Sequence, residues 1–151
     1  MSVSGGWRSV RTVRIAFGTD EDTPLTASVV EDLRALGHDV EHVARGAAWP
    51  EVGRAVGEAV AHRGAERGIV CCFTGTGVSI AANKVPGVRA ALCTDAATAA
   101  GARRWNDANV LAFGLRLTSP DVAREMVEAF LGTDADADEL RAVARVEGSL
   151  G

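Results

Sequence analysis

The segment at residues 71–84, CCFTGTGVSIAANK, carries the sharpest chemical pattern in the sequence. Apolar residues lead directly into the sequence Thr-Gly-Thr-Gly at residues 74–77, and a helical pattern begins near Val78. Glycines allow a tight turn that leaves backbone amides free, and the N-terminus of a helix adds partial positive charge. The segment therefore predicts a pocket for a phosphate, a carboxylate or a developing enolate oxygen.

This loop differs from the common nucleotide-binding loops. It has no Gly-Lys-Ser/Thr ending, which a Walker A loop requires. It also follows the third predicted strand, whereas a dinucleotide-binding fingerprint follows the first. A tight turn without a ligand is the alternative interpretation of so short a glycine pattern, so the neighbouring residues must decide between the two.

Cys72 stands immediately before the loop, at the carboxyl end of the apolar run. The N-terminus of a helix beside a thiol favours the thiolate, which can act as a base or a nucleophile. The alternative is a buried core cysteine, which is the common state of a free thiol. Cys71 and Cys93 are assigned to the core. Because Cys71 and Cys72 are adjacent, they must point to opposite faces of a strand.

Short apolar runs alternate with longer helical patterns, which is typical of a parallel sheet with helices on both faces. The predicted strands are residues 12–17, 39–43, 68–73, 88–93 and 109–113, and Gly18 closes the first. Thr23 and Asp95 are the predicted N-caps of two helices, and further helices begin at Pro50 and after Ser119. A polar final helix covers residues 136–147. We expect an α/β fold, a single-domain Rossmann-like three-layer sandwich with a five-stranded parallel sheet and a C-terminal helix.

In such sheets the ligand binds beyond the carboxyl ends of the strands, which points to residues 18–21, 74–79, 94–95 and 114–116. The domain is expected to cover residues 12–147. A flexible leader at residues 1–11, without the apolar block of a secretory signal, precedes it, and a short tail at residues 148–151 follows it.

The composition excludes several classes of function. The chain has 151 residues, of which 47% are hydrophobic, enough for one domain with a substantial core. A net charge of −4 without a basic run argues against nucleic-acid binding, and no apolar stretch is long enough to cross a membrane. Three cysteines suit neither a disulfide framework nor a metal site, so we expect a reducing, cytoplasmic location. The histidines, His38, His42 and His62, are expected at the surface.

Two stretches resemble a known family. They are GIVCCFTGTGVSIAANKVPGVRAALCTD, at residues 68–95, and RRWNDANVLAFGLR, at residues 103–116. Both are similar to type B ribose-5-phosphate isomerases, a family that includes the galactose-6-phosphate isomerase subunits. The most specific pieces are SIAANK and NDANVLAFG, and the resemblance extends from about residue 14 to residue 146. It implies an aldose–ketose isomerase that works through a cis-enediolate, without a metal or another cofactor.

The resemblance also implies roles for individual residues. Cys72 falls on the family's usual base, and Thr74 falls on the hydroxyl beside it. The positions that match its substrate-binding residues are Asp20, Gly75, Gly77, Ser79, Asn106, Arg116, Arg141 and Arg145. Family members are dimers whose active sites combine residues of two chains, so a homodimer with shared sites, or a tetramer, is expected. The regions of Asn106 and of the C-terminal arginines would reach across.

Two positions depart from the family's pattern. Glu21 replaces a histidine that helps to bind the substrate's phosphate, and a carboxylate beside a phosphate repels it. Trp105 replaces a histidine that opens the furanose ring. The indole N–H is only a donor and does not titrate, so Trp105 is unable to open a ring. Both positions are nevertheless expected to line the substrate site.

Three hypotheses follow from the matches and the departures. The first is an isomerase for a substrate that needs no ring opening, such as a tetrose phosphate. The second is an enzyme on the same scaffold with a different substrate, such as an unphosphorylated and more apolar one, in a specialised biosynthetic pathway. In that case Trp49 and Trp105 supply a stacking surface. The third is a non-catalytic dimer that binds a sugar or an anion.

Overall fold

The structure, a computed structural model, describes residues 11–148. The predicted leader, except Arg11, and the predicted tail, except Gly148, lie outside these residues. Within the described part, the strands are β1 Arg14–Thr19, β2 Asp39–Arg45, β3 Arg67–Cys72, β4 Ala90–Leu92 and β5 Val110–Gly114. The helices are α1 Pro24–Ala35, α2 Trp49–His62, α3 Thr76–Asn83, α4 Ala96–Asn106, α5 Pro120–Gly132 and α6 Leu140–Val146.

The five strands of residues 11–148 form one parallel sheet in the order β2-β1-β3-β5-β4. Helices α1, α4 and α5 pack on one face, around side chains such as Leu33 and Phe130. Helices α2 and α3 pack on the other face, around Val56 and Val78. The predicted three-layer α/β sandwich is therefore confirmed. Cys71 belongs to the first layer and Cys72 to the second, as their adjacent positions in a strand predict.

The starts of three helices follow from local chemistry. The side chains of Thr23, Asp95 and Ser119 each accept a hydrogen bond from a backbone N–H in the first turn of the helix that follows. Such caps satisfy amides that would otherwise lack a partner. The predicted caps at Thr23 and Asp95 and the predicted helix start after Ser119 are confirmed, and all three fix where a helix leaves the carboxyl edge of the sheet.

Some predicted boundaries are wrong. Gly18 lies within β1 rather than after it, because β1 continues to Thr19, which pairs with β2 and β3. Phe73 lies outside β3 and is 56% exposed, since the chain already turns there. Helix α3 begins at Thr76, two residues before the predicted start. The final helix is divided into a 3-10 turn at Ala137–Glu139 and α6.

The histidines occupy three different environments. His38, expected at the surface, is only 6% exposed, and its Nδ1 accepts a hydrogen bond from the Val13 N–H at 3.1 Å. His42 is half-buried and its ring makes a T-shaped contact with the Phe17 ring, so the surface prediction is also wrong there. His62 is exposed, as predicted. Burial lowers the pKa of His38 and, together with two arginines, that of His42.

The buried ring of His38 predicts a pH dependence of stability. The unfolded chain binds a proton near pH 6.5, whereas the folded chain does so only at lower pH, because the pKa of His38 is lowered. The contribution of His38 to the free energy of unfolding is therefore fully present above about pH 6.5 and is lost as the pH drops below it. His38→Asn, whose amide oxygen can still accept from Val13, flattens this slope in urea titrations between about pH 7 and 5. The exposed control His62→Asn leaves the slope unchanged; an equal effect of both variants contradicts the assignment.

Candidate active site

The carboxyl edge of the sheet brings one group of predicted site residues together. The Asp20 N–H donates to the Cys71 carbonyl at 3.3 Å, which fixes the turn after β1 against the end of β3. The Arg116 N–H donates to the Phe73 carbonyl at 3.0 Å, which fixes the segment after β5 against the same strand end. Asp20, Cys72, the glycine loop and Arg116 therefore share one edge of the molecule, as the topology predicts.

The loop after β3 is held against β5 by glycines. Gly75 has a left-handed backbone with a φ of 82°, and a Cβ there would lie 2.6 Å from the Phe113 carbonyl carbon. A Cβ on Gly114 would lie 2.6 Å from the Thr74 carbonyl oxygen. These approaches exclude any larger residue at either position. Gly75 is also the N-cap of α3 and offers no side chain to its first amides, so these remain available for an anion.

The three thiols differ in their surroundings. Cys72 is 5% exposed at the last position of β3, and it packs in the layer that contains Val78 of α3. Burial raises the pKa of Cys71 well above its ordinary value and that of Cys93 to about 11. A thiol that stays protonated is a poor base or nucleophile. The assignment of Cys71 and Cys93 to the core is therefore supported. Cys72 differs from both in that it lies at the end of β3, directly before the loop.

Asp20 presents a buried oxygen to the same edge. Its Oδ1 has no hydrogen-bond partner among residues 11–148. Burial and the negative charge of Glu21 raise the pKa of the Asp20 carboxyl. Leaving such an oxygen unsatisfied costs stability, and a sugar hydroxyl is a suitable donor for it. Glu21 itself is exposed, and the Thr19 hydroxyl holds its backbone by accepting from the Glu21 N–H and donating to the Glu21 carbonyl.

Three contacts between side chains or with the backbone shape the walls of this edge. The indole of Trp49 lies against the backbone of Gly77, since a Cβ on Gly77 would be 2.8 Å from Trp49 Cδ2. The Thr74 and Thr76 hydroxyls share a hydrogen bond of 2.8 Å. The guanidinium of Arg116 lies 5.7 Å from the centre of the Phe73 ring, beside a cavity of about 220 Å³. The sequence indicated Trp49 only as a stacking surface; its contact with Gly77 depends on how α2 packs on α3.

A second group of predicted site residues lies at the opposite, amino edge of the sheet. Helix α4 leaves the carboxyl end of β4 and ends at Asn106, just before β5 begins. Trp105 and Asn106 therefore lie at the amino edge, where they line a cleft of about 770 Å³ together with α6. Arg141 and Arg145 are exposed on α6 and make no ion pair within residues 11–148. One chain does not bring these four residues to Cys72.

Two further findings concern the described part of the chain. No group of three or more His, Cys, Asp or Glu side chains in it could hold a metal ion. None of its helices has the length and apolar character needed to cross a membrane.

The sequence model of the ribose/galactose isomerase family matches residues 15–148. The chain therefore belongs to this family of sugar isomerases, as the resemblance predicts. Ribose-5-phosphate isomerase B of Escherichia coli is 39% identical over 126 residues, which cover 79% of this chain and 83% of that protein. D-erythrulose-4-phosphate isomerase 2 of Mycolicibacterium smegmatis is 34% identical over 134 residues, which cover 89% of this chain and 85% of that protein.

One relative is much longer than the matched region. The DNA damage-repair/toleration protein DRT102 of Arabidopsis thaliana is 41% identical over 125 residues, which span 80% of this chain but only 40% of that protein.

Among solved structures, type B ribose 5-phosphate isomerase of Trypanosoma brucei superposes with a TM-score of 0.85 at 35% identity, and the superposition covers 92% of this chain and 99% of that one. The fold is thus shared over almost the whole described chain.

The glycine at position 75 generates a prediction about stability. Gly75→Ala combines a strained left-handed backbone with clashes against the backbone of β5, so it lowers the free energy of unfolding by about 3 kcal/mol or more. Gly46 is a matched control, because its φ is 67° and a Cβ there meets nothing within 4 Å. Gly46→Ala costs only about 1 kcal/mol of backbone strain. Equal losses in urea unfolding would show that the approach to β5 is not tight.

Proposed function

We propose that this protein is an aldose–ketose isomerase that acts on a short, open-chain sugar phosphate through an enediolate, with Cys72 as the base. The observation that carries the proposal is the position of Cys72, at the end of β3 directly before the uncapped start of α3. A base at this place can reach a carbon whose oxygen is bound by the free amides of the helix. Membership of the isomerase family supports the same chemistry.

The proposed substrate is a four-carbon ketose phosphate. Trp105 occupies the position of the family's ring-opening histidine, and an indole is unable to transfer a proton to or from the ring oxygen. A tetrose 4-phosphate needs no such group, because the oxygen that would close a furanose ring is esterified to phosphate. The Mycolicibacterium relative, which is named as a D-erythrulose-4-phosphate isomerase, agrees with a substrate of this size.

The proposed mechanism moves one proton between two carbons. The Cys72 thiolate takes a proton from C1 of the ketose, and the electrons of that C–H bond form the enediolate. The thiol then returns a proton to C2, while the hydroxyl proton of O1 passes to O2, so the atoms balance. The amides at the start of α3 stabilise the enediolate oxygen, the Thr74 hydroxyl lies beside it, and the free Oδ1 of Asp20 accepts from a sugar hydroxyl.

The proposed site is completed by a second copy of the chain. Asn106, Arg141 and Arg145 lie at the amino edge, whereas Cys72 lies at the carboxyl edge, so one copy supplies only half of the site to itself. In a twofold dimer each copy can contribute its amino-edge group to the other's carboxyl edge. Arg141 and Arg145, one turn apart on α6, then bind the phosphate, and Arg116 acts from the chain that carries Cys72.

An unphosphorylated substrate is the second candidate, and Glu21 is the observation that favours it. Its exposed carboxylate lies next to Asp20, at the edge where the family places a phosphate-binding histidine. A second negative charge there weakens the binding of a phosphate dianion. The substrate panel of the exchange experiment below separates the two candidates.

Hydrogen exchange with solvent tests the proposed chemistry. In heavy water the protein incorporates deuterium into D-erythrulose 4-phosphate, and Cys72→Ala lowers the rate about a thousandfold, because the base is lost. Cys93→Ala is the matched control, since Cys93 is a core thiol, and it leaves the rate within about twofold. Exchange that survives Cys72→Ala contradicts the proposed base. Exchange only with unphosphorylated sugars favours the second candidate, and no exchange with any four- to six-carbon sugar or sugar phosphate rejects an isomerase.

Trp105 generates a separate prediction about ring opening. Trp105→His supplies a group that can protonate the ring oxygen, so it raises turnover of ribose 5-phosphate at least about tenfold. The same variant changes turnover of D-erythrulose 4-phosphate less than about threefold, because that substrate is already open. Trp105→Phe is the control that removes the indole without adding a proton carrier. A gain with Phe equal to that with His would show that size, rather than proton transfer, limits the reaction.

A further inference from the structure

A network of charged groups ties together the elements at the amino edge. Arg89 lies between α3 and β4, and its Nε donates to the Asp107 carbonyl at 2.9 Å. Its Nη2 pairs with the Asp107 carboxylate at 3.4 Å, and its Nη1 pairs with the Glu147 carboxylate. Asp107 ends α4 and Glu147 ends α6. One guanidinium therefore joins the ends of two helices that are 40 residues apart in the sequence (107 and 147).

A second arginine, Arg103, contacts Asp107 from the buried side. Arg103 is 3% exposed, and its Nη1 contacts both the Asp107 carboxylate at 2.8 Å and the Ala108 carbonyl at 2.6 Å. Its Nε donates to the Thr133 carbonyl at 3.1 Å, where the chain leaves α5 for α6. Asp107 is the one residue other than glycine within 11–148 with a positive φ, 48°. Two arginines thus hold a strained turn directly after Asn106.

The network places two sets of proposed substrate contacts in one rigid unit. Asn106 immediately precedes Asp107, and Arg145 lies two residues before Glu147. Helix α6 has only seven residues, and Val143 is its one buried side chain in the described structure. So short a helix with one buried anchor is weakly held by apolar packing. The Arg89–Glu147 ion pair adds a second contact, which fixes the orientation of α6.

We propose that Arg89 and Glu147 are positioning residues, which hold Arg141 and Arg145 in register with Asn106 so that both enter the second chain's site together. This inference rests on the proposed function for its purpose. It differs from a purely structural role in its consequence: loss of the pair weakens the binding of phosphate through the two arginines of α6. It does not remove a group that touches the substrate.

Equilibrium binding of inorganic phosphate to the full chain tests the inference without isomerase activity. Glu147→Gln keeps the size of the side chain but removes its charge, so the ion pair with Arg89 is lost. Because the arginines of α6 are then no longer held in place, the Kd for phosphate rises about tenfold. In the background Arg141→Gln/Arg145→Gln the same change alters the residual Kd less than twofold, because the groups it positions are gone. Arg124→Gln is the matched control; it removes an exposed ion pair to Asp121 on α5 and leaves the Kd unchanged.

Two results overturn the inference. One is a phosphate affinity that Glu147→Gln leaves unchanged, or lowers equally with and without Arg141 and Arg145. The other is a wild-type protein that binds no phosphate.

Arg89→Lys provides a second variant, since a lysine retains the charge but not the fork that reaches both helix ends, and it is expected to match Glu147→Gln. The two tests are independent, because this one measures phosphate binding and not activity. If deuterium exchange is unaffected by Cys72→Ala, the proposed reaction is rejected, but phosphate binding still decides the role of the Arg89–Glu147 pair.

Discussion

The close approach of the loop after β3 to the end of β5 is the contact on which the carboxyl edge depends. Gly75 reaches this position with a left-handed backbone, and Gly114 leaves room for the Thr74 carbonyl on the neighbouring strand. The approach turns the chain sharply enough for α3 to begin four residues after Cys72. The strand end that carries Cys72 and the uncapped start of α3 are thereby joined by a short turn of fixed backbone geometry.

The same topology divides the candidate site residues between two edges. Helices that connect parallel strands run antiparallel to them, so residues at a helix end, such as Asn106, lie at the edge opposite to residues at a strand end, such as Cys72. Within one chain the two groups therefore remain at opposite edges of the sheet. In the proposed dimer a second copy supplies the missing group, and the rigidity of the amino edge, where Arg89 and Asp107 hold the helix ends, becomes part of the proposed catalytic design.

The sequence predicts most of the fold, because apolar runs, proline positions and capping residues act locally. Thr23, for example, is identified as a helix cap from its neighbours alone, and the structure agrees. What it does not predict depends on contacts between distant segments. His38 is buried because the Val13 N–H, 25 residues away, needs an acceptor. Of the site, the residues at strand ends could be located from the topology. The Arg89–Glu147 pair could not, because its partners are 58 residues apart and no motif joins them.

In the proposed dimer a working site combines Cys72 of one chain with Asn106 and α6 of the other. Subunit mixing tests it most directly. Cys72→Ala and Asn106→Ala chains, each inactive alone, are unfolded, mixed in equal amounts and refolded together. Half of the dimers are then mixed and hold one intact site, so about a quarter of the wild-type activity returns. A mixture that stays as inactive as its parents would show that both residues act within the same chain, or that they do not share a site.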